Sequence, residues 1–217
     1  MKRAIVLLSG GLDSATTLYH AMARGYAAHA LIFDYGQRHR KEILAAQRIA
    51  RSAKVPFHVV KISLPWKGSA LLDAGIKVPS TGVKAGKIPP TYVPARNIIF
   101  VSFAASYAEA IGARVIFIGA NAVDYSGYPD CRPSFFKAFQ LALDAGLKAG
   151  VEKKGVRIMT PLIDLSKADI VRLGQKLGVP FHLTWSCYNG NKKPCRVCDS
   201  CRLRTQGFHQ AGVEDKV

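Results

Sequence analysis

The sequence predicts an α/β fold built on a doubly wound parallel sheet. Apolar strand segments alternate with helical segments along the chain, and the glycine-rich and polar motifs mostly follow strands. Strands separated by helices of this length pair in parallel, and such sheets bind ligands outside the carboxyl ends of their strands. The chain has 217 residues, 49% of them hydrophobic and 21% charged, which is enough for one such domain and a small appendage.

The elements follow from the hydrophobic periodicity. Five short apolar runs predict strands at residues 4–9, 28–35, 57–62, 113–121 and 156–163. Helices are predicted from about Asp13 to Gly25 and at 40–53, 96–112, 132–149 and 167–178. Ser166 and Asp169 form a capping box before the last of these helices. Residues 65–94, rich in Pro, Gly and Lys, break this rhythm and are expected to be either a lid or partly disordered.

The expected organisation is an α/β domain over residues 1–181 and an appendage over 182–217, whose final dozen residues resemble a tail. The apolar run near the N-terminus ends after about six residues, too short for a signal peptide. No stretch approaches the roughly 20 apolar residues of a membrane span, so we expect a cytoplasmic protein. The net charge of +17 is typical of a protein that binds either a polyanion such as RNA or small anionic substrates.

The motif SGGLDS (Ser9–Ser14) lies between the first strand and the first helix. Gly10 and Gly11 allow a sharp turn and close approach of a ligand, and the N–H groups that open a helix favour an anion. Ser9 and Ser14 add hydroxyl donors, and Asp13 can help to hold magnesium. The lysine of a Walker loop is absent, so the motif is typical of PP-loop ATP pyrophosphatases, which cleave between the α- and β-phosphates. A plain strand–turn–helix junction is the alternative interpretation.

Two further positions are candidates for contacts with a nucleotide. Asp34 ends the second strand, where a nucleotide-binding sheet would place adenosine, and Gln37, Arg38 and His39 follow it. Arg96 opens the third predicted helix and can neutralise developing phosphate charge. A solvated helix start and an arginine paired to a structural carboxylate are the respective alternatives.

The loop after the fourth strand (residues 119–135) is the predicted substrate loop. It contains Asp124, Tyr125, Tyr128, Asp130, Cys131 and Arg132. A planar, guanine-like acid requires a carboxylate, an aromatic face and a cation, and this loop offers all three. A well-ordered turn is the alternative. Cys131 is either a nucleophile or sulfur carrier activated by Arg132, or a passive buried thiol; we favour the passive role.

Four of the five cysteines lie close together near the C-terminus, with the spacing C-x7-C-x2-C-x2-C. They are Cys187, Cys195, Cys198 and Cys201. This pattern predicts a closed structural zinc site that folds a segment with few apolar residues, with an iron–sulfur cluster as the alternative. The net charge of such a centre is offset by nearby basic residues, namely Lys192, Lys193, Arg196, Arg202 and Arg204.

Across nearly the whole chain, the sequence resembles the 7-cyano-7-deazaguanine synthases. The resemblance rests on SGGLDS, FDYGQRHRKE, VPARN, DYSGYPDCRP, TPLIDLSKADIV and TWSCYNG…PCRVCDSCRLR, in order. It implies a Rossmann-like PP-loop fold of the adenine nucleotide alpha-hydrolase type, zinc on the four cysteines, and a homodimer. The implied ATP contacts are Leu8, Ser9, Gly10, Gly11, Leu12, Asp13, Ser14, Ala15, Thr16, Thr17 and Leu18. Ala95 and Arg196 stand where glycine is common in this family.

The resemblance further implies that 7-carboxy-7-deazaguanine, ammonia and ATP are converted to the nitrile through the amide, in queuosine biosynthesis. We assign catalytic roles to Asp13 and Arg96, and the role of base for ammonium to Asp124 or Asp130. Tyr125, Tyr128, Asp130 and Arg132 are predicted to bind the substrate, and Mg²⁺ to accompany the pyrophosphate. Whether AMP or ADP is the product, and how ammonia arrives, is left open.

Two other functions remain as alternatives. A tRNA-modifying PP-loop protein, a thiolase or a lysidine synthase, would use the basic surface to grip RNA and Cys131 as sulfur carrier. A non-catalytic nucleotide sensor on the same fold would bind ATP without releasing pyrophosphate. Direct binding of nucleic acid is not expected under the preferred interpretation.

Overall fold

The computed structural model describes residues 2–80, 87–123 and 127–217. Its sheet has five strands in the order β3-β2-β1-β4-β5, and each neighbouring pair is parallel. The strands are β1 (Lys2–Leu7), β2 (Tyr26–Asp34), β3 (Phe57–Lys61), β4 (Val115–Phe117) and β5 (Arg157–Met159). The predicted parallel α/β sheet is therefore confirmed.

The central strand β1 shows why this sheet is buried on both faces. Ala4 and Val6 point into one apolar core, and Ile5 and Leu7 point into the other. A parallel strand with helices on both sides needs apolar residues at every position, whereas a half-exposed strand would alternate. This is the reason that β1 appears in the sequence as a continuous apolar run.

The helices form two layers around the sheet. They are α1 (Leu12–Ala23), α2 (Lys41–Ser52), α3 (Arg96–Ile111), α4 (Pro133–Gly146), α5 (Lys148–Val151), α6 (Lys167–Lys176) and α7 (Asp199–Ala211). Helices α1 and α2 share one core with the sheet, and α3 and α4 share the other. Of the described helices, none is both long and apolar enough to cross a membrane.

Strands β4 and β5 are shorter than the apolar runs 113–121 and 156–163 predicted. After Phe117 and Met159, single backbone bonds continue from the Ile118 N–H to the Met159 carbonyl and from the Ala122 N–H to the Ile163 carbonyl. The regular ladder of β5 ends because the chain turns over residues 161–164, where the Ile163 N–H donates to the Thr160 carbonyl at 3.1 Å.

The predicted helix 132–149 is interrupted at Leu147, whose backbone is extended (φ −96°, ψ 144°), so α4 ends there and α5 follows. The predicted cap of α6 is confirmed, since the Ser166 hydroxyl accepts from the Asp169 N–H at 3.2 Å.

The interpretation of the last dozen residues as a tail is wrong. Helix α7 continues to Ala211, and Phe208 is buried in a small core with Leu162, Ile170 and Val171. The sequence concealed this helix because its apolar residues are few. Its packing on α6 supplies the burial that its composition does not suggest.

The described parts of the long segment 65–94 pack against the domain. Leu71 and Val93 belong to the core on the α3 side of the sheet. The Arg38 N–H donates to the Leu71 carbonyl at 3.0 Å, and the Ala70 N–H donates to the Pro90 carbonyl at 2.8 Å. Residues 81–86 lie outside the described chain.

Candidate functional site

A cavity of about 250 Å³ opens at the carboxyl end of the sheet, where the first turns of five helices meet. The residues from those turns are Leu12, Asp13 and Ser14 of α1, Glu42 of α2, Arg96 and Asn97 of α3, Lys167 of α6, and Ser200 of α7. The first N–H groups of a helix have no partner within it, and the helix dipole places positive potential there. Five such ends around one space make it suited to a ligand with several negative charges.

The SGGLDS motif forms a loop closed by its own hydroxyls. The Ser14 Oγ lies 3.0 Å from the Ser9 Oγ, accepts from the Ser9 N–H at 3.2 Å and donates to the Gly11 carbonyl at 3.1 Å. Gly10 has a positive φ of 86°, and a Cβ at this position would lie 2.2 Å from the Glu42 carbonyl oxygen. The loop therefore lies directly on the start of α2, which only glycine permits at this position.

The eleven residues predicted to contact ATP divide into two groups. Those that line the cavity are Leu8, Ser9, Gly11, Leu12, Asp13 and Ser14. Ala15, Thr16, Thr17 and Leu18 are fully buried in α1, where the Thr16 and Thr17 hydroxyls donate to carbonyls one turn back. Gly10 faces α2. These five residues do not line the cavity; they pack behind the residues that do.

Asp13 is paired with a residue that the sequence analysis did not select. The Lys167 Nζ donates to both carboxylate oxygens of Asp13 at 2.8 Å, and its side chain is 9% exposed. The side chain lies across Gly207 of α7, where a Cβ would come within 2.4 Å of the Lys167 Cγ. The available sequence signal was its position in the first turn of the helix that follows the fifth strand, where ligands of such sheets bind.

Arg96 lies in the cavity wall at the start of α3, beside a carboxylate that caps the same helix. The Asp130 Oδ2 accepts from the Asn97 N–H at 2.9 Å, and the Asn97 Nδ2 donates to the Asp130 carbonyl at 2.9 Å. Burial alone would lower the pKa of Arg96. The phenol oxygens, thiol and carboxylate around it have the larger combined effect, so the pKa is raised above its ordinary value. The guanidinium therefore remains charged at any pH at which the protein is folded.

Glu42 is the second site residue that the sequence analysis missed. Its side chain lines the cavity from the first turn of α2, next to the phosphate loop. Burial raises its pKa to about 7, although the Arg96 charge opposes that rise and the Cys187 thiolate adds to it. Its carboxyl group therefore gains and loses a proton near neutral pH.

The structure separates the other predicted residues. Tyr128 is buried in the cavity wall, where its hydroxyl lies 2.7 Å from the Thr91 hydroxyl. Asp34 and Arg132 do not line the cavity; Asp34 pairs with exposed Arg40 at 2.8 Å, and Arg132 is an exposed residue at the start of α4. Asp124 and Tyr125 lie outside the described residues.

Cys131 also lines the cavity, but as a thiol of low reactivity. It is 8% exposed and its Sγ accepts from the Asn97 Nδ2 at 3.2 Å. Burial raises its pKa to about 11, and the Asp130 carboxylate adds to that rise. Since the thiolate is the nucleophilic form, this environment favours the passive role over that of a sulfur carrier.

One side of the cavity is aromatic. The rings of Phe33 and Phe100 are stacked with their centroids 3.9 Å apart, and Tyr35 meets Phe100 edge-on at 5.4 Å. Planar ligands such as purines bind to faces of this kind. The cavity therefore combines an aromatic wall with a positively polarised floor.

The four cysteines near the C-terminus come together beside this cavity. Their sulfur atoms all lie within 4.8 Å of one another, and Cys195 and Cys201 are 3.9 Å apart. Tetrahedral zinc with Zn–S bonds of about 2.3 Å separates its sulfurs by about 3.8 Å, so the donor set is suited to such an ion. Hydrogen bonds from the Cys198 and Cys201 thiols lower the pKa of Cys187, which favours a thiolate.

Both departures from the expected glycines fall on strained backbone. Ala95, which precedes α3, has φ 56° and ψ 20°, and Arg196, within the cysteine cluster, has φ 61°. Residues with a Cβ adopt this left-handed region at an energetic cost, whereas glycine adopts it without that cost. The chain thus makes both turns with residues that strain them.

Comparison with known proteins adds to this geometry. The family model described as "Queuosine biosynthesis protein QueC" matches residues 3–212. The chain belongs to this family. It is 55% identical over 219 residues to the 7-cyano-7-deazaguanine synthase of Acetivibrio thermocellus, covering 100% of this chain and 97% of that protein. It is 53% identical over 216 residues to the synthase of Thermoplasma acidophilum, covering 99% and 90% of the two chains.

Solved structures support the fold assignment. The NMN synthetase of Francisella tularensis superposes with a TM-score of 0.52 at 15% identity, covering 98% of this chain and 87% of that one. A 4-thiouridine synthetase, solved in complex with RNA and ATP, superposes with a TM-score of 0.52 at 18% identity, and the match covers 97% of this chain and 50% of that one. This member of the QueC family therefore has the Rossmann-like PP-loop fold that its sequence predicted.

Proposed function

We propose that this protein is a 7-cyano-7-deazaguanine synthase, which converts 7-carboxy-7-deazaguanine and ammonia into the nitrile at the expense of ATP. The curated relatives that carry this name match the chain along its entire length. The observation that carries the proposal is the meeting of five helix N-termini and the SGGLDS loop around one cavity with an aromatic wall. Such a site accommodates a nucleotide polyphosphate together with a planar acid.

In the proposed reaction, the substrate carboxylate attacks the α-phosphorus of ATP, and pyrophosphate leaves. Ammonia then displaces AMP from the acyl adenylate and forms the amide. The amide oxygen is adenylylated in the same way by a second ATP. Loss of AMP and a proton from the carbon–nitrogen unit leaves the nitrile.

The charges of the cavity suit this chemistry. The open N–H groups of α1 stabilise the departing pyrophosphate, as does the Lys167 ammonium, which is held in place by Asp13. The Arg96 guanidinium remains charged and can balance the pentavalent α-phosphorus. Preorganised donors of this kind act most strongly where water is excluded.

Magnesium would bind mainly through phosphate oxygens. Among the described acidic residues, Asp13 and Glu42 line the cavity, and Asp13 is already paired with Lys167. Because Mg²⁺ commonly takes one or two carboxylates and fills its remaining positions with phosphate and water, Asp13 is sufficient as its protein ligand. Zinc is the metal we assign to the four cysteines, in a closed structural site.

We assign the role of base for ammonium to Glu42 rather than to Asp130. The Asp130 carboxylate is occupied by the Asn97 N–H and fixes the start of α3 beneath Arg96. Glu42 faces the cavity, and a pKa of about 7 is close to the best value for a base at neutral pH. The homodimer and the cytoplasmic location remain predictions.

The test is mass spectrometry of the zinc-loaded protein with Mg-ATP, ammonium chloride and 7-carboxy-7-deazaguanine. Formation of the nitrile, with AMP and pyrophosphate, supports the proposal. Consumption of ATP without nitrile points to another acid or to the amide step alone. No turnover in zinc-replete, folded protein overturns it.

A matched pair of lysine variants ties turnover to the cavity. We expect Lys167→Met to lower the rate of pyrophosphate release by roughly 100-fold, since it removes a charge that stabilises the leaving group. Lys176→Met, at the exposed end of the same helix α6, removes an equal charge and is expected to keep wild-type turnover. Equal effects of the two substitutions would contradict the assignment of Lys167.

A further inference from the structure

The SGGLDS loop is in direct contact with the segment that carries the cysteines. The Trp185 N–H donates to the Gly10 carbonyl at 2.9 Å. On its other side, Gly10 lies so close to the start of α2 that a Cβ would come within 2.2 Å of the Glu42 carbonyl oxygen. The loop is therefore held between α2 and Trp185, and a displacement of Trp185 would free one of its two sides.

Trp185 is in turn positioned by the cysteine cluster. Its Nε1 donates to the carbonyl of Cys187 at 2.9 Å, and its ring packs against the buried cysteines. The Lys41 ammonium lies 4.4 Å from the centre of the ring and donates to the Asn191 carbonyl. Both polar contacts of the indole thus lead to residues 187–191, the part of the chain that the first cysteine anchors.

A second contact joins this segment to α2. Gly190 has φ 63°, and a Cβ there would lie 2.5 Å from the His39 Cβ. The segment thus packs tightly against His39, which directly precedes Arg40, the N-cap residue of α2. Residues 185–190 bridge the phosphate loop, the start of α2 and the cysteines.

A metal ion on the four thiolates cross-links Cys187 to the turn and helix that carry the other three cysteines. Without the ion, that link is lost, so residues 187–191 gain freedom. The loss reaches Trp185 first, because its indole has polar contacts with this segment.

We propose that Trp185 is a positioning residue that couples occupancy of the four-cysteine metal centre to the shape of the phosphate loop. The metal-loaded protein then binds Mg-ATP more tightly than the metal-free protein. This inference rests on the proposed binding of ATP in the cavity. Coupling between two sites is reciprocal, so bound Mg-ATP also slows the loss of the metal.

The experiment uses protein with Trp66→Phe, which leaves Trp185 as the sole tryptophan of the two in the chain. Its fluorescence is used to follow Mg-ATP binding, because Trp185 lines the cavity. Affinity is measured for zinc-loaded protein and for protein stripped by chelation under reducing conditions, with far-UV circular dichroism to verify the fold. We expect stripping to weaken Mg-ATP binding on the order of ten-fold.

The variant Trp185→Phe keeps an aromatic ring and the backbone N–H but loses the side-chain donor to the Cys187 carbonyl. Its affinities, and those of unsubstituted protein for comparison, are measured by calorimetry. The ratio between loaded and stripped affinities should fall toward one, whereas the Trp66→Phe control keeps the full ratio. A wild-type ratio within about two-fold of one, or a full ratio in Trp185→Phe, overturns the inference.

Capture of zinc by a chromophoric chelator, followed with and without Mg-ATP, requires no stripped protein. It therefore decides the case in which the metal-free chain unfolds. Slower capture in the presence of Mg-ATP, lost in Trp185→Phe, supports the coupling, and equal capture rates refute it. If zinc-loaded protein does not bind Mg-ATP at all, the proposed function fails, and this inference fails with it.

Discussion

At the residue scale, Ala95 and Arg196, two of the left-handed positions without glycine, are clear sources of strain. A residue with a Cβ in this region costs about 1–2 kcal/mol, while glycine adds about 0.4–1 kcal/mol of entropy to the unfolded chain. Strain relief exceeds that entropy term, so Ala95→Gly and Arg196→Gly should each raise the free energy of unfolding by about 0.5–1 kcal/mol. Urea denaturation of zinc-loaded protein measures this change.

The matched control lies in the same helix that Ala95 precedes. Ala110 is an exposed residue near the end of α3. Ala110→Gly should lower the free energy of unfolding by about 0.5–1 kcal/mol, because here glycine only adds freedom to the unfolded chain. If Ala95→Gly also destabilised the protein, the backbone at residue 95 would not be strained.

Cys131 provides a second prediction at this scale. Its thiol is buried, accepts from Asn97 and has a pKa raised to about 11, so a role as nucleophile is disfavoured. Cys131→Ser keeps an acceptor for Asn97, and nitrile formation should remain within about three-fold of wild type. Loss of activity in folded protein would restore the sulfur-carrier hypothesis for this residue.

At the element scale, helix α7 shows the limit of reading periodicity. Arg204 donates twice to the Asp215 carboxylate, at 2.7 and 2.8 Å, and also to the Thr184 hydroxyl at 2.7 Å. This arginine therefore joins the chain end and the segment before Cys187, rather than simply offsetting the charge of a metal centre. No local pattern in the sequence indicates such partners.

The packing of α7 gives the prediction for this scale. Phe208 is 2% exposed, and its ring meets Phe181 edge-on with the centroids 5.1 Å apart. Phe208→Ala should lower the free energy of unfolding by about 3 kcal/mol, as is usual for a buried aromatic side chain.

The control for this prediction is Phe103→Ala on α3, where the side chain is 42% exposed and little burial is lost. Its cost should stay below about 1 kcal/mol. Thermal or urea unfolding of zinc-loaded protein compares the two variants. Similar costs would mean that α7 is a loosely attached tail after all.

The predicted helices and strands were confirmed where the pattern was strong. Helix α2 and the cap of α6 fall where the sequence places them, because an amphipathic stripe and a serine cap are local properties. The ends of β4 and β5 do not fall where the sequence predicted them, because regular pairing depends on a neighbouring strand.

At the scale of the whole molecule, Glu42 links stability to pH. The ordinary pKa of a glutamate is about 4.5, and burial raises the pKa of Glu42 to about 7 in the folded chain. Between these values the folded state keeps a proton that the unfolded state has lost, so stability falls as pH rises through this window. Below about pH 4.5 both states are protonated, and above about pH 7 the loss is complete.

Glu42→Gln removes this effect because glutamine does not titrate. The free energy of unfolding of the variant, minus that of wild type, should increase by on the order of 2 kcal/mol between pH 5 and pH 8. Urea unfolding at the two pH values, with zinc present throughout, measures the difference. An unchanged difference would show that Glu42 titrates normally, and would also weaken its assignment as the base for ammonium.

The sequence by itself determined the α/β class, the parallel sheet, the phosphate loop and the four cysteines, because each is encoded by neighbouring residues with a fixed period or spacing. It also pointed to Arg96 and Tyr128, which the structure places in the cavity wall. Only the tertiary structure decided that Lys167 and Glu42 face the phosphate loop, and that Asp130 caps a helix while Asp34 pairs with Arg40. Except for the Asp34–Arg40 pair, those roles arise between residues far apart in the chain. The doubly wound topology brings these residues together where five helix N-termini converge at one end of the sheet.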